Sequence, residues 1–182
     1  MKTGQTLFQF TAKDEREVIL RTPKWEDLDD LLEFINALID ENVDIFLTKK
    51  VTRHQEAEWL GRQLADMEKG QLIRIVADIN GNVIANSQLQ LLNGVSSHVG
   101  YINIGIRQQY RNIGIGTQIL NTLITHAKKV GLKLLILSVF STNEHARYVY
   151  EKVGFRECGR IPQRIFKNDQ YIDEIVMVKT LT

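Results

Sequence analysis

The chain has little with which to cross-link or stiffen itself: of 182 residues, one is cysteine and two are proline. A lone Cys158 excludes an internal disulfide and a cysteine-ligated metal cluster, and a small residue in a strand pattern is expected to be buried. No apolar run approaches the roughly 20 residues that a membrane helix needs. Charge of one sign is missing as well. Lys and Arg number 23 against 22 Asp and Glu, a formal net charge of +1, so no whole-protein field marks a nucleic-acid or membrane-surface binder. The opening Met1-Lys2-Thr3-Gly4-Gln5 lacks the apolar core and cleavage site of a secretory signal, which makes the cytoplasm the expected location. Repeats, low-complexity tracts and Pro/Gly-rich linkers are absent too. A chain of this length then amounts to one domain with one core.

What is present reads as alternating periodicities. Residues 1–16 are polar and irregular apart from Leu7-Phe8-Gln9-Phe10, and are expected to form a partly ordered extension to a domain spanning 17–182. Glu17 to Arg21 reads as a short strand. Thr22-Pro23 looks like a helix start, with Thr as N-cap and Pro at the first helical position. Trp25, Leu28, Leu31, Leu32, Ile35, Leu38 and Ile39 follow at helical spacing. A second helix opens at Thr52, with Gln55 completing a capping box, and stops at Gly70. Strands are expected over 72–79 and 83–91 around Asn80-Gly81, a hairpin dipeptide, and over 99–106. A helix follows over 114–130. Residues 134–140 suggest a strand covered on both faces. A short helix over 143–152 and two last strands, 155–166 and 171–179, complete a single mixed α/β domain.

Gly114 and Gly116 stand between the 99–106 strand and the helix that begins there. Glycines at such a junction let main-chain N–H groups approach a ligand, and the helix dipole favours negative charge. A diphosphate suits that environment, although two glycines at a turn are also ordinary turn chemistry. A Walker loop requires Gly-Lys-Ser/Thr, and no lysine precedes Thr117. A dinucleotide fingerprint needs a third glycine within a first βαβ unit, and neither condition holds.

At these residues the sequence resembles the GNAT superfamily of acetyl-CoA-dependent N-acyltransferases. The family's cofactor motif, Arg/Gln-x-x-Gly-x-Gly/Ala, is matched by Arg111-Asn112-Ile113-Gly114-Ile115-Gly116, followed by Thr117. Its second signature, Asn-x-x-Ala-x-x-x-Tyr-x-x-x-Gly-Phe, is matched from Asn143 through Ala146 and Tyr150 to Gly154-Phe155. The order of elements agrees from about residue 17 to 180. The resemblance implies a mixed, mostly antiparallel central sheet of about seven strands flanked by about four helices, with two parallel strands splayed at the centre. It also implies acetyl-CoA as co-substrate and no metal.

By the resemblance, main-chain groups of Ile104 and Ile106 hold the pantetheine arm, and N–H groups of Ile113, Gly114, Gly116 and Thr117, next to Asn112, hold the pyrophosphate. Arg111 either adds charge there or is an exposed helix-start arginine. Ile104 N–H is placed near the thioester carbonyl, and Tyr150 takes the general-acid position near the coenzyme sulfur. Asn143 either touches the cofactor or caps its helix, with Ser141-x-x-Glu144 as the box. The departure is the base. Many members carry a Glu near position 100 or 138, where this chain has Gly100 and Ser138. A water chain ending at Glu41, Asp173 or Glu174 is one substitute, although each of these also reads as a solvated surface acid.

An α-amine, with pKa about 8, is roughly a tenth neutral at pH 7, against about one in a few thousand for a lysine-type amine. A site without a base therefore suits an amino acid, a small metabolite or a polypeptide N-terminus as acceptor. The two N-terminal helices and the last hairpin wall the acceptor site in the family. Between those helices Asp40-Glu41-Asn42-Val43-Asp44 is either an attractor for a cationic amine or a solvated loop, and Gln88, Tyr101, Asn103 and Tyr171 are further lining candidates. The alternative to an enzyme is a non-catalytic acyl-CoA-binding sensor or interaction module. No nucleic-acid or membrane partner is expected: Lys128-Lys129 suit the end of a helix without one. The final hairpin leaves an edge open to a homodimer.

Overall fold

The computed structural model describes residues 1–181. Thr6–Thr11, expected in a loose extension, is instead the first strand, β1, paired antiparallel with β2 at Glu17–Arg21. The Lys13 amide donates to the Ile113 carbonyl at 3.1 Å, and the Arg16 guanidinium lies over the Tyr110 ring. The N-terminal hairpin thus braces the loop that carries the glycine motif.

The next correction concerns the first helix. Thr22 does not cap it: its hydroxyl donates to the Lys2 carbonyl and accepts from the Gln5 amide. A short 3-10 turn at Trp25–Asp27 intervenes, and α1 runs from Leu28 to Asp40. Arg21 fixes this entry by bridging Asp27 and Asp78, all three buried. Phe34 joins Leu28, Leu31 and Leu38 on the buried face, while Trp25 is half exposed. Helix α2, Arg53–Glu68, begins as expected, with Thr52 and Gln55 bonding reciprocally.

The remaining elements are β3 (Leu72–Ile79), β4 (Asn82–Leu91), β5 (Val99–Ile106), α3 (Ile115–Lys129), β6 (Leu134–Phe140), α4 (Glu144–Lys152), β7 (Arg156–Lys167) and β8 (Gln170–Thr180). Asn80 and Gly81 both take positive φ in the β3–β4 turn, as a tight hairpin of that type demands. One sheet of eight strands results, ordered β1-β2-β3-β4-β5-β6-β8-β7. Only β5 and β6 are parallel neighbours. The eighth strand, beyond the seven expected, is β1.

Two apolar layers cover the sheet. Leu28, Leu31 and Leu60 of α1 and α2 pack on Val76 and Val83. On the opposite face Ile115, Ile119 and Leu123 of α3 and Tyr150 of α4 pack on Leu89, Ile102, Leu135 and Leu137. The strand buried on both faces is β3; β6 buries one face fully and the other only in part, with Leu134, Ile136 and Ser138 partly covered and Phe140 buried. Cys158, expected to be buried, is exposed because nothing covers β7 over residues 156–164.

Candidate active site

The parallel pair at the centre holds together for only three rungs: Val99 with Leu134, Gly100 with Leu135, and Tyr101 with Ile136. Both strands continue beyond that point, β5 to Ile106 and β6 to Phe140, so a wedge opens between them. Which groups face the wedge follows from strand alternation. Arg107 donates to the Ile84 carbonyl and Leu92 to that of Val99, each at 3.1 Å, which turns the odd-numbered residues of β5 toward β4. The main-chain groups of Ile104 and Ile106, and the carbonyl of Ile102, consequently point into the wedge, the Ile102 N–H being used by the last rung. On β6, Ser141 donates to Asp173 and Lys133 accepts from Leu181, both toward β8. The groups of Ser138 and Phe140 therefore face the wedge from its other side. Unpaired main-chain groups call for partners. Two are already satisfied: the Ile106 carbonyl accepts from Arg111 Nε and Nη2 at 3.0 and 2.9 Å, and that of Phe140 accepts from the Asn143 amide.

At the wide end of the wedge stands the start of α3. Gly114 is its N-cap, at φ 95°, in the left-handed region that glycine tolerates without penalty. A Cβ there would meet nothing within 4 Å, so the space above is open. Asn112 is left-handed too and exposed. The amides of Ile113, Gly114, Gly116 and Thr117 find no acceptor among the described residues. Four free donors at the positive end of a 15-residue helix make an anion cradle. A Cβ on Gly116 would lie 3.2 Å from Ile106 Cδ1 and 4.0 Å from Val149 Cγ1. The end of β5, the start of α3 and the flank of α4 therefore meet at this residue.

Tyr150 projects from α4 into the core beneath the sheet, edge-on to Phe155. Burial, and then its nearness to Tyr101, push its phenol up to about 12. Tyr101 lies on the last paired rung, with its side chain on the opposite face of the sheet, so the two phenols sense each other where the strands begin to part. Asn143 caps α4 itself, its Oδ1 accepting from the Ala146 amide at 3.1 Å. Ser141 has no part in that cap.

On the α1–α2 side, a cavity of about 520 Å³ lies where β6 ends. Phe140 forms its floor, the loop of residues 42–48 one wall and residues 164–169 of the β7–β8 hairpin the other. The carboxylates of the 40–44 stretch are all taken: Asp40 by Lys50 at 2.9 Å, Glu41 by Arg111 at 3.5 Å and Asp44 by Lys167 at 3.3 Å. Lys167 also donates to the carbonyls of Asn42 and Val43. Of the two readings of this stretch the pairing favours the loop over the attractor, because each charge already faces a cation.

The family model for the acetyltransferase (GNAT) family matches residues 25–155. The chain belongs to that family. Its relatives include a putative phosphinothricin acetyltransferase, YwnH, of Bacillus subtilis (strain 168), 25% identical over 145 residues that make up 79% of this chain and 86% of that one. An N-alpha-acetyltransferase of Sulfurisphaera tokodaii is 24% identical over 156 residues, 80% of this chain and 84% of the other. The fold is shared with the crystal structure of a GNAT superfamily phosphinothricin acetyltransferase from Sinorhizobium meliloti in complex with AcCoA. The TM-score is 0.80 at 20% identity, over 94% of this chain and 89% of that one.

As a GNAT protein the chain is an acetyl-CoA-dependent N-acetyltransferase by family, and its departures from the common pattern have structural causes. A side chain at Gly100 would overlap Leu89 and come within 2.7 Å of Leu132, so the position has no room for a glutamate. Of the substitute bases, Glu174 is buried rather than solvated and lies 3.7 Å from Arg164. Asp173 is held low by the Gln163 amide and then by Arg160. Glu41 is paired with Arg111. Among the described residues no group of three or more His, Cys, Asp and Glu could hold a metal ion. No helix is long and apolar enough to cross a membrane. Gln88, Tyr101, Asn103 and Tyr171 do not line the cavity. The residues that do line it, Phe46, Phe140 and Phe166 among them, went unread. The signal for Phe46 was the run Val43-Asp44-Ile45-Phe46-Leu47, too short and too irregular to read as an element, while Phe140 and Phe166 end expected strands whose pattern does not say what borders them.

Proposed function

We propose that this chain moves an acetyl group from acetyl-CoA to a primary amine, of an amino acid, a small metabolite or a polypeptide N-terminus, by direct attack in a ternary complex. The observation that carries this is the wedge. Pairing of β5 with β6 stops at Tyr101, leaving Ile104 and Ile106 turned inward above four uncommitted amides. An extended arm with amide groups adds to such an edge as a strand would. The amides of Ile113, Gly114, Gly116 and Thr117 receive the pyrophosphate. Asn112 and Arg111 shape that loop, Arg111 by holding the Ile106 carbonyl, which leaves the Ile106 N–H for the arm. Asn143 acts through α4, keeping Tyr150 in place.

In the reaction the Ile104 N–H donates to the oxygen that gains charge as the amine attacks. Tyr150 donates to the departing sulfur. A thiol titrates near 8.5, well below the value of about 12 for this phenol. The phenol therefore steadies the thiolate by hydrogen bonding without giving up its proton. The amine has to arrive neutral, since the nearby carboxylates are paired. With an α-amine as acceptor, kcat/KM should climb with pH up to about 8 and then level.

The test is coenzyme-thiol release from acetyl-CoA against a panel of amines. Tyr150→Phe should lower kcat about a hundredfold while calorimetry finds acetyl-CoA binding intact. Full turnover by that variant removes Tyr150 from the mechanism. Tight cofactor binding with no release for any amine turns the chain into a binding module.

A further inference from the structure

The cavity beyond Phe140 is more selective than the general amine reading requires. Its walls set apolar side chains among polar ones, without the cluster of carboxylates that would suit a polyamine or a lysine side chain. Phe46 and Leu47 leave 59% and 50% of their surface exposed beside it, and apolar exposure gathered at one cavity marks a binding surface where scattered single residues do not. The Phe46 ring sits edge-on to Phe140 at 5.3 Å, closing the floor. Two cations, Arg164 and Lys167, line the cavity beside one carboxylate, Asp169, so the lining offers no surplus of negative charge to a second positive charge on the acceptor.

The two cations differ in what they can still do. Lys167 is committed to two carbonyls and Asp44. Arg164 makes one long contact, Nε to Glu174 at 3.7 Å, and the rest of its exposed guanidinium has no partner among the described residues. A planar guanidinium with free Nη donors is suited to a carboxylate. The cavity volume of about 520 Å³ falls within the range of about 300–1,000 Å³ of small-molecule sites.

From these features we infer that the acceptor is a free α-amino acid with an aromatic or branched apolar side chain. That side chain lies against Phe46, Leu47 and Phe140, its carboxylate is on Arg164, and its α-amine is turned toward Ser138 and the wedge. The assignment rests on the transferase reading above, because it places the amine next to the thioester. In the reaction the amine nitrogen forms the amide bond, the carbon–sulfur bond breaks and coenzyme A leaves as the thiolate; the one proton that the nitrogen loses passes to solvent, from which the thiolate is protonated to the thiol.

The test compares kcat/KM for L-phenylalanine, L-leucine, glycine, L-lysine, spermidine and L-phenylalaninamide, in the wild-type chain and in Phe46→Ala and Arg164→Gln, both at exposed positions. L-Phenylalanine and L-leucine should lead. Phe46→Ala should cut the phenylalanine-to-glycine ratio about tenfold. Arg164→Gln should cut the phenylalanine-to-phenylalaninamide ratio by about tenfold or more. Preference for lysine or spermidine, or ratios unmoved by both variants, overturns the assignment and leaves the transferase standing. Turnover of no amine overturns the transferase. In that case calorimetry of L-phenylalanine with the coenzyme A-loaded protein decides separately, and absence of saturable binding overturns the cavity assignment as well.

Discussion

At the α3 end of the wedge the contacts on offer are main-chain amides, while at the far end, between the 42–48 loop and the β7–β8 turn, they are side chains. The first set needs no charge of its own. Gly114 opens the approach, and the helix dipole and four free N–H groups supply the polarity. The second set is rich in charge, yet most of it is spent internally: Asp40, Glu41 and Asp44 each meet a cation, and Lys167 ties the loop to the hairpin. A ligand common to a whole family can be held by backbone, which tolerates side-chain drift. A ligand particular to one chain has to be read by side chains, and here the neutralised loop leaves apolar surface to do the reading.

Substitutions can break or sharpen this contrast. The largest effect is expected from Gly114→Val, which forces a β-branched residue to φ 95° and should weaken acetyl-CoA binding about a hundredfold by calorimetry. Unchanged affinity would mean that backbone geometry at this point is not what holds the coenzyme. Next is Arg111→Gln, which frees the Ile106 carbonyl and should raise KM for acetyl-CoA about tenfold through the displaced end of β5, with kcat less affected. The alkaline side of the kcat profile is a subtler measure. The Tyr150 phenol is raised, so its donating, protonated form persists as pH increases, and no descending limb should appear at the ordinary tyrosine value of 10.0 but only toward about 12. A limb centred on 10.0 contradicts a buried donor. The smallest effect is expected at the acidic loop. Asp44→Asn should change KM for a cationic amine by no more than about twofold, since its charge already faces Lys167; a large rise would restore the loop as an attractor.

Legibility in the sequence followed the same divide. The glycine motif, Tyr150 and the β3–β4 turn could be read directly because each depends on residues a few positions apart. Thr22 misled because a Thr-Pro pair fits a helix start, whereas the buried pairing of Arg21 with Asp27 and Asp78 draws the helix on to Leu28. β1 was missed because Leu7, Phe8 and Phe10 stand in an otherwise polar stretch without strict alternation, and its place comes from pairing with β2. Cys158 was misjudged because a strand pattern does not say whether anything lies over the strand. The cavity joins residues more than a hundred positions apart, Phe46 with Phe166 and Asn42 with Lys167, and no spacing rule connects them.

Taken alone, the amino-acid order determined the family, the helix that begins at the two glycines and the phenol of α4, since local propensity and left-handed backbone demands are written in neighbouring residues. The tertiary structure decided where β5 and β6 part, which carboxylates keep an unanswered charge and what surface meets the acceptor. Those depend on distances between segments far apart along the chain, which only packing fixes.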